Sequence, residues 1–196
     1  MFKRILIANR GEIACRIART CQRLGIEYVA VHSLADAGSA HLSGAARTVC
    51  LGAGAAAESY LNSGKLLQAA GETSCEAVHP GYGFLSENSE FAASVEATGM
   101  AFIGPSPATI AALGDKARAK ALMRAAGVPV VPGTDEASDN PATIEALARA
   151  IELPVLLKPS AGGGGKGMQI ITRYEDLPRL CLLYTSPSPR DQRGSR

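Results

Sequence analysis

Five short apolar runs in the first 103 residues alternate with helical patterns and turns, and this alternation limits the folds open to the chain more than any other feature. Residues 3–8 (KRILIA) predict a buried strand. Residues 11–24 space Ile13, Ile17 and Leu24 around Arg16, Arg19 and Arg23, which predicts an amphipathic helix with Gly25 as its stop. Residues 28–32 (YVAVH) predict the next strand. A strand, a helix and a second strand within about thirty residues close as a parallel pair through a right-handed crossover. Further strands are expected at 47–51, 77–78 and 101–103, with helices at 64–70 and 89–98. Repeated units of this kind predict an α/β domain with a parallel, Rossmann-like sheet ending near Leu113.

The pattern then changes. Residues 116–126 predict a helix closed by Gly127 and Pro129, and 128–141 are loop-rich. A helix is expected at 142–150, a strand at 154–158, then SAGGGGKG and a strand at 168–172. This predicts the start of a second, smaller αβ unit. Residues 181–196 (CLLYTSPSPRDQRGSR) have no period and interrupt a helix beginning after Tyr174. They read as the in-frame translation of a sequencing-library adapter, the alternative being a natural terminus without structure, and carry no fold or site expectation.

Charge and cysteine usage exclude several classes. The net charge of +2 resides wholly in that tail, where Arg190, Arg193 and Arg196 face Asp191. The neutral body offers no nucleic-acid footprint. The five cysteines form no CxxC pair, and neither His41 nor His79 stands at metal-ligand spacing to them. That pattern predicts reduced thiols and a cytoplasmic setting. Neither a signal peptide nor an apolar run of about 20 residues is expected.

Four motifs carry chemistry. ANRGEIA (8–14) stands between the first strand and helix with a single glycine, so it is either a tight turn fixed by Asn9 or Arg10, or a phosphate or partner contact. HPGYGFLSEN (79–88) follows a strand at its carboxyl end, where open sheets bind ligands. Its alternatives are a ligand loop and a rigid loop that caps the next helix. In GDK (114–116), Asp115 suits a helix cap and Lys116 falls in the first turn, an anion site or an exposed lysine. Lys158 ends an apolar strand and is followed by four consecutive glycines, Lys166 and Gly167. Glycines can present successive N–H groups to phosphate and swing as a lid, or they can form a linker. Gly167 stands where a Walker A loop needs Ser or Thr, so the segment reads as a glycine-rich hairpin.

In this order and spacing, ANRGEIA, HPGYGFLSEN, IGP, GDK and KPSAGGGGKGM resemble the biotin carboxylase family of the ATP-grasp superfamily over about residues 1–180. The resemblance implies an amino-terminal α/β domain at 1–113, a connecting helix at 114–129 and part of an ATP-grasp lid subdomain at 130–180. It implies ATP binding by Lys116, Lys158, Gly164, Gly165 and Met168, and a biotin pocket flanked by Tyr82, Gly83 and Glu87. The implied reaction makes carboxyphosphate from ATP and bicarbonate, then carboxylates biotin, with Mg2+ as cofactor. Its implied partners are a biotin carboxyl carrier protein or domain and a carboxyltransferase component, and the full-length protein would form a homodimer. The family's metal-binding carboxylates, bicarbonate ligands and catalytic glutamate fall beyond residue 180, so no catalytic residue and no carboxylase activity are expected of this chain alone. Gly44-Ala45-Ala46-Arg47 replaces a more acidic stretch, a change expected at the surface. The competing readings are another ATP-grasp ligase, such as a carbamoyl-phosphate synthetase, and a non-catalytic dimerisation or nucleotide-binding module.

Overall fold

The computed structural model describes residues 1–114, 116–134, 138–158 and 168–180, without the side chains of 116 and 117. Two units divide at Ala111 and Ala112.

The first unit runs β1 (Arg4–Ile7), α1 (Gly11–Leu24), β2 (Glu27–Ser33), β3 (Arg47–Gly52), α2 (Ser63–Glu72), β4 (Ala77–His79), α3 (Ser89–Ala97) and β5 (Ala101–Phe102). All five strands are parallel, in the order β3-β2-β1-β4-β5. A strand covered on both faces must be apolar at successive positions, and Ile5, Leu6 and Ile7 are all buried. Alternation along the strands divides the core in two. Leu6, Val29, Val31 and Val78 pack with Leu66 of α2 and Phe91 and Val95 of α3. Ile5, Ile7, Tyr28 and Ala30 pack with α1 on the other face.

The side of α1 that meets the sheet differs from expectation. Ala14, Ala18 and Cys21 are buried, Ile13 and Ile17 are half-buried, and Leu24 is exposed. Small side chains at positions i, i+4 and i+7 line one stripe, and the larger apolar groups flank it. Gly25 ends the helix at φ +66°, donating to the carbonyls of Cys21 and Gln22. Gly44 is also more than a surface change: it sits at φ +78°, and a Cβ there would come within 2.8 Å of Gln22 Nε2 and 3.3 Å of the Tyr28 hydroxyl.

One α-helix among the described residues was not expected from the sequence. α4 (Pro107–Gly114) begins with Pro107 in its first turn, after Ser106 Oγ accepts the Thr109 N–H at 3.2 Å. Ile110 joins the core of the first unit. Asp115, the expected cap, lies outside the described residues.

The second unit contains α5 (Lys116–Ala125), α6 (Pro141–Arg149), β6 (Val155–Leu157) and β7 (Gln169–Ile171). Asn140 caps α6 by accepting from the Ala142 and Thr143 amides. The two strands pair antiparallel, and Val155 and Ile171 pack with Ala148, Leu177 and Leu180. Among the described residues no helix is long and apolar enough to cross a membrane.

Ala14 is buried where α1 meets the sheet core. Ala14→Leu should therefore overpack that contact and cost about 1–3 kcal/mol in urea unfolding.

Candidate functional site

The strand order reverses between β1 and β4: β2 and β3 continue to one side and β5 to the other. Open α/β sheets leave a crevice at the carboxyl ends of the strands at such a point. ANRGEIA leaves β1 there and HPGYGFLSEN leaves β4. The Asn9 side chain joins them, buried to 1% exposure. Its Nδ2 donates to the Pro80 carbonyl at 2.7 Å and the Tyr82 carbonyl at 3.0 Å, while Oδ1 accepts from the Arg10 amide at 2.9 Å. The position needs two donors and an acceptor, which a neutral amide provides and a carboxylate does not. The following turn is held by His41, whose Nδ1 accepts the Gly11 N–H at 3.4 Å and whose Nε2 lies 3.0 Å from the Val31 carbonyl. Both contacts are met by the neutral tautomer protonated on Nε2. These bonds favour the tight-turn account of ANRGEIA.

The loop after β4 divides its residues between support and exposure. His79 Nδ1 accepts the Gly81 amide at 3.0 Å, and burial lowers the His79 pKa. Gly81 sits at φ +69°, and a Cβ there would stand 2.7 Å from both Asn9 Nδ2 and Ile13 Cγ2. Phe84 turns its ring onto Tyr60, and Asn88 caps α3 by accepting the Phe91 amide at 2.8 Å. Tyr82 is 65% exposed, and Gly83 and Glu87 are also exposed. Of the two accounts the sequence had offered, the geometry bears out the helix cap, and the exposed side chains are those a ligand could meet.

Spacing did not reveal a second cluster. Tyr60 is fully buried; its hydroxyl donates to Asp36 Oδ2 at 2.7 Å and accepts the Ser33 amide at 3.0 Å. Ser33 Oγ donates to the same carboxylate oxygen at 2.8 Å, and Arg10 pairs with it at 3.1 Å. The Tyr60 hydroxyl, followed by Ser33 and Arg10, holds the Asp36 pKa below the usual carboxylate value despite opposing burial. Burial, reinforced by Asp36, pushes the Tyr60 pKa to about 12. The residues come from three segments, with Ser33 and Asp36 on one of them, and share no sequence period; only the turn motif bearing Arg10 was visible.

In the second unit, the hairpin register pairs Leu157 with Gln169. The next positions are Lys158 and Met168, both exposed, at the end from which the glycine segment departs. Gly164, Gly165 and Lys166, and the side chain of Lys116, lie outside the described residues.

Two predictions follow from the crevice. Asn9→Asp should cost about 3–5 kcal/mol of unfolding free energy, because it leaves a buried charge facing two carbonyls. The low His79 pKa means that the unfolded chain binds more protons than the folded one as pH falls through about 6.5. Stability should be fully retained above that pH and decline below it, and urea titrations from pH 8 to 5 should show a shallower decline for His79→Asn.

Comparison with known proteins places these motifs in a family. The biotin carboxylase N-terminal domain matches residues 1–110, and the carbamoyl-phosphate synthase L chain ATP-binding domain matches 115–190. The chain is 52% identical over 184 residues to the biotin carboxylase of Allochromatium vinosum, covering 93% of this chain and 41% of that protein. It is 51% identical over 175 residues to the mitochondrial methylcrotonoyl-CoA carboxylase subunit alpha of Oryza sativa, covering 89% and 24% respectively. The biotin carboxylase domain dimer of Hydrogenobacter thermophilus 2-oxoglutarate carboxylase, solved with MgADP, ADP and bicarbonate, superposes with a TM-score of 0.87 at 45% identity. That match covers 91% of this chain and 39% of the neighbour. A parallel sheet carrying both motif loops at its switch point, and a family match over more than half the chain, lead to one conclusion: the chain belongs to the biotin carboxylase family.

Proposed function

We propose that the chain forms the amino-terminal part of an ATP-dependent biotin carboxylase. The carrying observation is the loop at 80–88. Supporting contacts come from His79, Gly81, Phe84 and Asn88, while Tyr82 and Glu87 stay exposed at the switch point and their side chains make no hydrogen bond or ion pair among the described residues. An aromatic face and a carboxylate released from structural duty suit a planar, polar ring such as the ureido group of biotin. Tyr82, Gly83 and Glu87 are accordingly assigned to the biotin side.

The nucleotide side is assigned to Lys116, Lys158, Gly164, Gly165 and Met168. Lysine charge favours phosphate oxygens, and glycine amides can close over them. The reaction would transfer the γ-phosphoryl group of ATP to bicarbonate with ADP leaving, then the carboxyl group of carboxyphosphate to the ureido nitrogen of biotin, which loses its proton as phosphate leaves. Transfer of this kind depends on positioning and on neutralising charge. Mg2+ would supply part of that neutralisation when bound. No group of three or more His, Cys, Asp or Glu side chains that could hold a metal ion occurs among the described residues, so none is assigned as its ligand. The proposed setting is cytoplasmic, in a homodimer that works with a biotin carrier and a carboxyltransferase component.

The two assignments separate kinetically in the complete carboxylase. Lys158→Ala should raise KM for ATP about tenfold or more and leave KM for biotin near its original value, with Tyr82→Ala doing the reverse. If neither substitution changes the KM of its assigned substrate, the proposal fails.

A further inference from the structure

Three of the four residues at 81–84 have positive φ: Gly81 at +69°, Gly83 at +71° and Phe84 at +43°. Glycine accepts this region freely, whereas Phe84 pays a steric penalty there. A side chain stays in such a conformation only when its surroundings hold it. The surroundings of Phe84 are specific. Its ring stacks on Tyr60 with centroids 5.1 Å apart and planes 11° from parallel. The Arg10 guanidinium carbon lies 5.3 Å from the Tyr60 ring centre and 5.7 Å from that of Phe84. Arg10 is held by Asp36, and Asp36 by Tyr60 and Ser33.

The segment before Tyr60 is itself tied down. Lys65 Nζ donates to the Leu51 carbonyl at 2.8 Å and the Glu58 carbonyl at 2.7 Å, tying the ends of the segment that leads to Tyr60. Gly52 permits this approach, since a Cβ there would come within 3.1 Å of Nζ. The tied segment ends at Glu58, two residues before Tyr60, whose ring stacks on Phe84, two residues from exposed Tyr82.

We infer that Tyr60, held by Asp36 and Arg10, is a positioning residue that locks Phe84 in its left-handed conformation and so sets the direction of Tyr82 and Gly83. Tyr60 lies in the core beneath the loop and acts through Phe84. The link to biotin rests on the functional proposal above; the control of the loop does not.

Hydrogen exchange on the 196-residue chain tests the brace. Tyr60→Leu removes the stack and the hydroxyl, and should speed amide exchange at residues 80–88 about tenfold while β1 and β2 keep their protection. Phe84→Leu retains the left-handed residue but loses the stack, and should reproduce that local effect if Tyr60→Leu fails to fold. Tyr60→Phe retains the stack and should restore most of the loop's protection. Unchanged exchange at 80–88 in Phe84→Leu, or loss of protection spread equally through the sheet, would overturn the inference.

In the complete carboxylase, Phe84→Leu should raise KM for biotin several-fold with KM for ATP unchanged. A loosened loop with unchanged KM for biotin in both Phe84→Leu and Tyr82→Ala would uphold the brace and reject the biotin assignment. If Tyr82→Ala raises KM for biotin while Phe84→Leu loosens the loop without doing so, the biotin assignment stands and the positioning role is overturned.

Discussion

The first unit depends on the Asn9 side chain at the point where the strand order reverses. Without it, the Pro80 and Tyr82 carbonyls of the loop after β4 would lose the donor that reaches them from the turn after β1. A buried carbonyl without a donor costs roughly 1–3 kcal/mol. The Asn9 amide meets two of them and spends its own oxygen on the Arg10 N–H. Gly81 belongs to the same arrangement, because any larger residue would push against the amide. The two motifs are therefore one structural object, and the second loop reaches solvent in a form set by the first.

What remains free at that edge becomes informative by subtraction. His79, Gly81, Phe84 and Asn88 each have a physical occupation, whereas the side chains of Tyr82 and Glu87 have no hydrogen bond or ion pair among the described residues. The Arg10, Asp36 and Tyr60 cluster meets the same loop through Phe84. Its low Asp36 pKa and high Tyr60 pKa keep a carboxylate and a neutral phenol together through ordinary pH. The interaction is consequently present under the conditions in which a ligand would meet the loop.

Much of this was legible in the chain. The apolar runs matched β1, β2, β3 and β4, and Gly25 marked the end of α1 because a left-handed residue closes a helix most cheaply as glycine. α4 was missed although Ser106 and Pro107 carry its start signal, since its short, almost wholly apolar stretch shows little amphipathic period. In α1 the buried stripe is Ala14, Ala18 and Cys21 rather than the more hydrophobic Ile13, Ile17 and Leu24. Periodicity records hydrophobicity, but the distance between a helix and a sheet is set by side-chain size.

By itself the sequence determined the parallel α/β class, because strand and helix periods and turn residues are local properties, and the ordered motifs carried the resemblance to the family. Tertiary structure decided how those motifs act together. Asn9 meets Pro80 and Tyr82 across more than seventy residues, and Tyr60 meets Arg10, Asp36 and Phe84 from four separate segments. Such contacts depend on strand order and on buried polar groups finding partners, and neither leaves a period in the chain. The HPGYGFLSEN loop is thus legible as a motif from its letters, while its division into supports and free side chains belongs to the fold.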